Sequence, residues 1–468
     1  MKHLKMIWKA SAPGQLFNLS SDEAKGRTCM ISSSVLGGIA AGITGGVFYS
    51  GFLLGYGIDI VKIGILTFVP YIASIFSLLS PVVLERFQHR RTVLAIGRVI
   101  YYTINILGLT LLPRMVESPD GRTLGFALIV FLSAAVNNIF APGYTVWHLN
   151  FLPDKIRADY FNISSCISTL LVGCVTLITS ALADSLAGSP NQLDIIVLLR
   201  YIAYGVALLD VLVLCLPKEY PYPHSEGVRL KFTDTFRLPF KHKKFLLTMV
   251  LVMAGYTFAA NISTPVINVH LLENVGVSYT LINGINFIYF LFFIMLGKAC
   301  KKSITNNSWF KTFAIWLLIN AVTFIPYAFV DAGNKTWAFI LVRLAQHVAG
   351  IFVGMTYANF PYINTPKEDR TTYLAFYTIV VNAAALLSML FGTWFVSAMG
   401  ESTLTLFGKP LGSVPLLMLM TFVLEAALSV TILILLPKLN PDDWEAPPKM
   451  PRSKLRLPAF LRPRYKGK

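Results

Sequence analysis

The stretch Tyr144–Phe161 reads YTVWHLNFLPDKIRADYF, an apolar segment that ends in aromatic residues, breaks at a charged turn and starts again. A similar stretch, YANFPYINTPKEDRTTYL, returns 213 residues later at Tyr357–Leu374. Both copies contain the turn Pro-x-x-x-Arg-x-x-Tyr. The matched positions are Tyr144 with Tyr357, Pro153 with Pro366, Arg157 with Arg370, and Tyr160 with Tyr373. One turn used twice at one spacing predicts a chain built as two similar halves.

The composition indicates a protein that is surrounded by lipid. Of the 468 residues, 55% are hydrophobic and 13% are charged, and the mean hydropathy is +0.62. Soluble domains carry about 25% charged residues, so this chain lacks the polar surface that a soluble fold needs. A helix of roughly 20 apolar residues spans a bilayer and satisfies its own backbone hydrogen bonds. The composition therefore predicts an all-α polytopic membrane protein.

Twelve apolar segments are long enough to span a bilayer. They lie near residues 30–54, 58–84, 92–113, 123–148, 160–187, 193–216, 244–270, 278–299, 309–330, 335–361, 370–398 and 412–436. The basic, proline-containing stretch 217–243 predicts a linker between one six-helix bundle over 30–216 and a second over 244–436. The lead 1–29 has no secretory pattern, and 437–468 form a basic tail.

The distribution of positive charge predicts the orientation. With the N-terminus inside, the lead, the linker, the tail and the inner loops hold 32 of the 40 Lys and Arg residues. The net charge of +17 is then a positive-inside signature, and no nucleic-acid partner is expected. We expect a cell-membrane protein with both termini in the cytoplasm. Residues 449–468 either contact anionic lipid or form a disordered solubilising tail.

Motifs of soluble enzymes are absent from the sequence. The five cysteines are scattered without a C-x-x-C pair, no His/Cys/Asp constellation has metal spacing, and there is no Walker loop. We therefore expect no catalytic residues, no metal, no cofactor and no enzymatic activity.

The stretch 81–91, PVVLERFQHRR, resembles the Gly-x-x-x-Asp-Arg-x-Gly-Arg-Arg/Lys signature of the major facilitator superfamily, from which Pro81, Glu85, Gln88 and His89 depart. The resemblance extends over nearly the whole chain through the twelve segments and the basic linker. It implies two pseudo-symmetric six-helix bundles that rock about a central site in a monomer. The fifth segment lacks the glycine- and proline-rich signature of the drug antiporters, and the second lacks the acids of the melibiose-type symporters.

The resemblance also implies a cytoplasmic gate. The acid after the second segment, Glu85, is expected to meet the start of the eleventh segment at Pro366–Arg370, or Arg370 itself. The proposed gate residues are Glu85, Arg86, Arg90, Arg91, Arg157 and Arg370. The alternative for Arg157 and Arg370 is that they are positive-inside anchors only.

A central cavity lined by segments 1, 4, 7 and 10 is a further implication of the resemblance. In the seventh segment, Thr257, Asn261, Thr264 and Asn268 form one polar stripe, with Pro265 placed to kink the helix. The candidate substrate-binding residues are Asn137, Tyr144, Thr257, Asn261, Asn268, Arg343 and His347. The alternatives are hydrogen bonds between helices for the stripe, snorkelling for Arg343 and packing for His347. Gly38 and Gly42 favour close helix packing over backbone contact with a substrate.

Three residues are candidates for proton coupling: His347, Glu425 and Asp210. Glu425 has a second interpretation as a hydrogen-bonding strut between helices. Arg98 is expected to snorkel to the inner face, Arg200 counts among the outer loop edges, and Trp147 is expected in the interfacial aromatic belt.

The functional hypothesis is a secondary transporter that moves a small polar solute by alternating access, coupled to protons or another ion. One alternative is an exporter of amphiphilic compounds or drugs. A hypothesis from another class is a non-transporting membrane receptor or scaffold on the same fold. The expected partners are a small-molecule substrate and the lipid bilayer.

Overall fold

The computed structural model describes residues 17, 21–84, 86–149, 151–152, 154–189, 191–220, 239–365 and 370–440. Within these ranges twelve helices are long and apolar enough to cross a membrane. The first half contains α1 (Asp22–Thr44 and Gly46–Gly55), α2 (Ile60–Ala73, Ser74–Leu79 and Ser80–Leu84), α3 (Arg91–Tyr102, Thr103–Gly108 and Leu109–Met115), α4 (Pro119–Leu149), α5 (Asp154–Ser185) and α6 (Asn191–Leu214).

The second half repeats this arrangement. It contains α7 (Lys243–Leu247, Thr248–Ala254, Gly255–Asn261, Thr264–Val269 and His270–Val275), α8 (Tyr279–Asn307), α9 (Trp309–Ala328), α10 (Lys335–Tyr357), α11 (Arg370–Met399) and α12 (Ser413–Ile434). A small hairpin of β1 (Leu404–Leu406) and β2 (Lys409–Leu411), which the hydropathy pattern did not indicate, lies between α11 and α12.

Two of the helices are interrupted in the membrane. In α1, Gly45 is extended and Gly46 has a φ of +53°, a conformation that glycine adopts without steric cost. In α7, the helix stops at Asn261 and restarts at Thr264, with Pro265 in the first turn of the new piece. The kink predicted from Pro265 is therefore confirmed. Both interruptions place backbone polar groups near the middle of a span.

The repeated tyrosines occupy equivalent places in the two halves. Tyr160 at the start of α5 is fully buried and packs against Phe17, with its hydroxyl 3.5 Å from the Arg27 carbonyl of α1. Tyr373 at the start of α11 is also buried and packs edge-on against Phe245 of α7, with ring centroids 4.8 Å apart. Each tyrosine thus ties the fifth helix of its half to the first, which supports the prediction of two similar halves.

The helices expose two faces of the bundle, which we name by the chain ends. The terminal face carries the start of α1, the end of α6, the start of α7 and the end of α12. The far face carries the α1–α2 and α7–α8 connections and the β-hairpin. Because every helix crosses once, the two halves enter the membrane in the same direction.

At the far face the two halves share one hydrophobic core. Phe48 of α1 stacks on Tyr279 of α8, with ring centroids 5.4 Å apart, and the buried core continues from α1 and α2 into α7 and α8. The Asp184 carboxylate at the end of α5 accepts backbone N–H groups from Tyr279 and Thr280, at 3.0 and 2.7 Å. A Cβ on Gly64 of α2 would lie 2.6 Å from the Thr393 hydroxyl of α11.

At the terminal face the hydrophobic core is divided. The cluster around Phe245, Phe313 and Tyr373 contains only residues of the second half, as far as the described residues go. Those around Tyr102, Trp147 and Tyr160 contain only residues of the first half, within the same limits. Among the described residues, a buried hydrophobic cluster therefore joins the halves at the far face, and none of the clusters at the terminal face spans both halves.

Trp147 corrects one expectation from the sequence. Its ring is only 1% exposed and packs edge-on against Phe151, with ring centroids 6.1 Å apart. It belongs to the packed terminal end of the first half rather than to a lipid-facing aromatic belt. An apolar ring at a helix end fits both environments, so the sequence pattern alone did not distinguish them.

Candidate functional site: a polar cavity in the first half

A polar cavity of about 450 Å³ lies between α1, α3 and α6. Its walls combine several glycines of α1, four aromatic or amide side chains and two arginines. The lining residues are Ser34, Gly37, Gly38, Ala41, Thr44, Gly45, Gly46, Tyr49, Arg98, Tyr101, Tyr102, Asn105, Ile106, Leu109 and Arg200. The resemblance implied a cavity along α1, α4, α7 and α10, so of those four helices only α1 lines this one.

One end of the cavity carries a buried ion pair. Arg98 Nε of α3 lies 2.9 Å from Asp210 Oδ2 of α6, and the Asp210 side chain is fully buried. The Ser33 hydroxyl donates to Asp210 Oδ1 at 2.5 Å, and the Tyr102 hydroxyl donates to Oδ2 at 2.6 Å. Arg98 was expected to snorkel to the membrane surface. Instead its head group pairs with Asp210 inside the bundle, because an acid one helix away offsets the cost of burial.

The other end of the cavity carries Arg200, which is 1% exposed. The sequence analysis counted this residue with the outer loop edges, whereas the structure places it inside the bundle. Its Nε donates to the Thr110 hydroxyl at 2.9 Å, and its Cζ lies 4.3 Å from the centroid of the Phe52 ring. The α6 spacing Arg200, Ala203, Ala207, Asp210 marks one helix face, and this spacing was the signal that sequence reasoning missed.

The α4 candidates lie beside this cavity rather than on its wall. Tyr144 donates its hydroxyl to the Leu94 carbonyl at 3.0 Å, and its ring lies 4.8 Å from Arg98 Cζ. Asn137 is half-buried on the same helix. Tyr144 therefore supports the Arg98 side chain by a cation–π contact.

His148, beyond the apolar span of α4, contacts the repeated turn. Its Nε2 lies 2.8 Å from the Tyr160 hydroxyl. Burial, followed by the charge of Arg98, lowers the pKa of His148 to about 4. Burial also raises the pKa of Tyr160 to about 12, so both groups are neutral near pH 7.

The polar stripe of α7 is split by the break in the helix. Thr257 and the Tyr357 hydroxyl of α10 are hydrogen-bonded at 2.6 Å, and the Asn261 amide donates to the Thr257 carbonyl at 2.7 Å. Thr264 beyond the break is exposed, and Asn268 is half-buried. Thr257 thus bonds to another helix, as in the interhelical alternative, whereas Asn261 bonds within α7.

The α10 candidates are held by α8. Arg343 donates to the Gln346 side-chain oxygen at 2.8 Å and to the Asn286 side-chain oxygen at 3.1 Å. His347 Nε2 lies 3.0 Å from the Ile285 carbonyl, and its ring packs against Tyr289 at a centroid distance of 5.1 Å. Among the described residues, amide oxygens rather than a carboxylate offset the cost of placing Arg343 in the membrane.

Glu425 of α12 is 1% exposed and lies away from the polar cavity. Its Oε2 accepts a hydrogen bond from the Asn320 amide of α9 at 2.9 Å. This contact joins two neighbouring helices of the second half, which favours the strut interpretation over proton coupling.

The gate prediction falls largely outside the described residues. Glu85 is not described, and nothing is described of the Arg157 and Arg370 side chains. Arg91 donates its backbone N–H to Glu219 Oε1 at 2.7 Å, and its guanidinium lies 3.9 Å from the same carboxylate. Arg90 donates to the Phe87 carbonyl at 3.2 Å, and Arg86 is exposed.

The structure therefore brings together Arg98, Asp210 and Arg200 around one cavity and leaves the second-half candidates elsewhere. Two further cavities, of about 530 and 850 Å³, lie at the far face. None of the three is lined by Asn261, Asn268 or Arg343. In the part of the chain that the structure describes, no cluster of His, Cys, Asp and Glu could hold a metal ion.

Comparisons with known proteins identify the fold. No protein-family model and no curated protein sequence matches the chain. A structure of a point mutant of the nucleoside transporter NupG is similar over 87% of this chain and 99% of that one, with a TM-score of 0.65 and 14% identity.

Two further solved structures are similar. A bacterial homologue of the iron transporter ferroportin, in an inward-facing state, covers 87% of this chain and 98% of its own, with a TM-score of 0.64 and 12% identity. A point mutant of the E. coli fucose:proton symporter FucP covers 88% and 99%, with a TM-score of 0.54 and 14% identity. Together with the twelve spans, these similarities show a multi-pass membrane protein with the fold of major facilitator superfamily transporters.

Proposed function

We propose that this protein is a secondary transporter that moves a small polar solute across a membrane by alternating access. The observation that carries the proposal is the hydrophobic core, which is continuous between the halves at the far face and divided at the terminal face. A bundle that rocks about a central site needs one closed end and one open end. The solved structures with this fold include nucleoside, peptide and fucose transporters.

The positive charge assigns the terminal face to the cytoplasm. The loops, lead, linker and tail on that side hold most of the Lys and Arg residues of the sequence. With this orientation, the face at which the buried core joins the two halves is the outer one. In this orientation Asp184 and Gly64 belong to the outer closure.

The ion pair Asp210–Arg98 is the proposed coupling site. Asp210 is a titratable acid that contacts two residues of the cavity wall, Tyr102 and Arg98. A proton on Asp210 removes its charge and releases Arg98 toward the cavity, so one proton changes the polarity of the binding space. His347 and Glu425 lack this link to the cavity. One of the similar structures is a fucose:proton symporter, which favours proton coupling on this fold.

Uptake in proteoliposomes tests the proposal. The purified protein is reconstituted with and without an inward proton gradient and offered radiolabelled sugars, nucleosides, amino acids and organic acids. Saturable accumulation of one class is expected only with the gradient. Asp210→Asn is expected to keep exchange of that solute and to lose accumulation, while Glu425→Gln is expected to behave as the unchanged protein.

Three outcomes contradict parts of the proposal. Ligand binding without any flux supports the receptor hypothesis, which is favoured because none of the three cavities is lined by Asn261, Asn268 or Arg343. Transport of amphiphilic dyes out of the vesicle supports an exporter. Equal accumulation with and without the gradient removes proton coupling.

A further inference from the structure

Arg200 is a buried cation without an acidic partner among the described residues. Beyond the Thr110 hydroxyl, its Nη atoms approach the Thr44 and Asn105 carbonyls only at 3.3 and 3.5 Å. The ionisable side chains that act on it are Tyr49 and Tyr56. This contrasts with Arg98 in the same cavity, which is matched by Asp210.

A cation in this position is expensive unless something neutralises it. Arginine stays charged in proteins and presents a planar fork of donors that fits a carboxylate. Carbonyl oxygens at 3.3–3.5 Å are at or beyond the limit of a good hydrogen bond, so donors of the guanidinium are weakly used. A buried guanidinium with spare donors at the wall of a cavity is suited to an anionic ligand.

Two other groups near Arg200 fit the same ligand. The Tyr49 hydroxyl is buried without a hydrogen-bond partner, although tyrosine hydroxyls usually find one when buried. The second piece of α1, Gly46–Gly55, starts at the cavity with no side-chain cap on its N-terminus. A Cβ at Gly46 would meet nothing within 4 Å, so the space before this positive helix end is open.

The remaining wall limits the size and the character of the ligand. Ile106, Leu109 and Tyr101 offer an apolar side, and a volume of about 450 Å³ accommodates a small organic molecule. At the opposite end of the cavity, Arg98 and Tyr102 can meet polar groups.

We propose that the cavity between α1, α3 and α6 binds a small organic carboxylate, with the carboxylate on Arg200 and the Tyr49 hydroxyl and the apolar body against α3. The inference that this carboxylate is the transported substrate rests on the proposed function. The inference that the cavity binds a carboxylate depends only on the residues of the cavity. The proposed transported solute is then a small organic anion rather than a neutral sugar.

Calorimetry on the purified full chain in detergent tests the site with benzoate and its neutral isostere benzamide. Benzoate is expected to bind at least tenfold more tightly than benzamide, because only the anion pairs with the guanidinium. Arg200→Lys keeps the positive charge but loses the planar pair of guanidinium donors. It is expected to weaken the binding of benzoate about tenfold or more. Tyr49→Phe is expected to weaken the binding of benzoate several-fold. This variant tests the site if Arg200→Lys does not fold. Tyr201→Phe is the matched control and is expected to change nothing.

Any one of three results overturns the proposed anion site. These are equal affinity for the two probes, no binding of either probe, and an unchanged affinity for benzoate in both Arg200→Lys and Tyr49→Phe. Flux assays keep this result separate from the proposed function. Saturable transport of other solutes with no benzoate binding removes the anion site and leaves the transporter. Benzoate binding that follows the Arg200 and Tyr49 variants supports the site, even where no flux accompanies it.

Discussion

Removing one partner of the buried ion pair between Arg98 and Asp210 is expected to destabilise the first half. Asp210→Asn preserves the shape of the side chain and one acceptor oxygen, in place of the two that accept from Ser33 and Tyr102, and it removes the charge opposite Arg98. Breaking a buried pair by removing one partner costs about 3–5 kcal/mol. The Arg98 side chain keeps 20% exposure toward the cavity, where water can solvate it, so we expect a loss near the lower limit, about 3 kcal/mol.

The chain supplies a matched control in Lys62 and Asp120. This pair has nearly the same separation, 2.8 Å against 2.9 Å, but the Asp120 side chain is 92% exposed. Exposed ion pairs contribute about 0.2–1 kcal/mol, so Asp120→Asn is expected to cost less than 1 kcal/mol. The two substitutions make the same chemical change, and the sites differ in burial and in the two hydroxyls that donate to Asp210.

The assay is equilibrium unfolding in mixed detergent micelles. It is applied to Asp210→Asn, Asp120→Asn, Arg98→Gln and the double variant Arg98→Gln/Asp210→Asn. The double variant is expected to be destabilised by less than the sum of its two single variants, since neither charge is left alone. Equal losses for Asp210→Asn and Asp120→Asn would refute the reasoning. Strict additivity in the double variant would show that the two side chains are not coupled.

Three further predictions concern other parts of the molecule. In a background without the native cysteines, oxidation of the double variant Gly64→Cys/Thr393→Cys is expected to stop transport reversibly, since the disulfide holds the far face closed. Each single variant is the control. Unaltered uptake by the oxidised double variant argues against rocking. Glu425→Gln is expected to change stability by less than about 1 kcal/mol, because an amide oxygen still accepts from Asn320; a loss above 2 kcal/mol in thermal unfolding contradicts the strut. His148 has a pKa of about 4 in the folded protein and about 6.5 in the unfolded chain. Between these two values the unfolded state binds more protons at His148, so the free energy of unfolding is expected to fall as the pH decreases from about 6.5 toward 4. His148→Gln should flatten that slope in unfolding curves, and an unchanged slope counts against it.

The sequence predicted the membrane architecture well because the signals are local. Runs of about 20 apolar residues mark each span, and the turn that ends in Tyr160 and Tyr373 marks the repeat. The break of α7 was also readable, since Pro265 cannot donate a helical hydrogen bond. Each of these features depends on residues that are near neighbours in the chain.

The site was harder to predict because its contacts join distant residues. Arg98 and Asp210 are 112 positions apart in the sequence, and no local pattern indicates that they meet. Arg200 lies near one end of α6, where a count of loop charges cannot distinguish an interfacial arginine from a buried one. The polar stripe of α7 assumed one continuous helix, and the contact of Thr257 with Tyr357 depends on how α7 packs on α10.

The central claim is that the halves rock, so that one face closes as the other opens. Spin labels at Gln88 and Lys302 report on the terminal face, and labels at Glu117 and Glu401 report on the far face; all four positions are exposed and belong to opposite halves in each pair. Double electron–electron resonance in lipid nanodiscs, between pH 5 and pH 8, measures both distances. The account predicts that the terminal pair shortens under each condition in which the far pair lengthens. Two single, fixed distances at every pH and with every solute that the protein transports would contradict it.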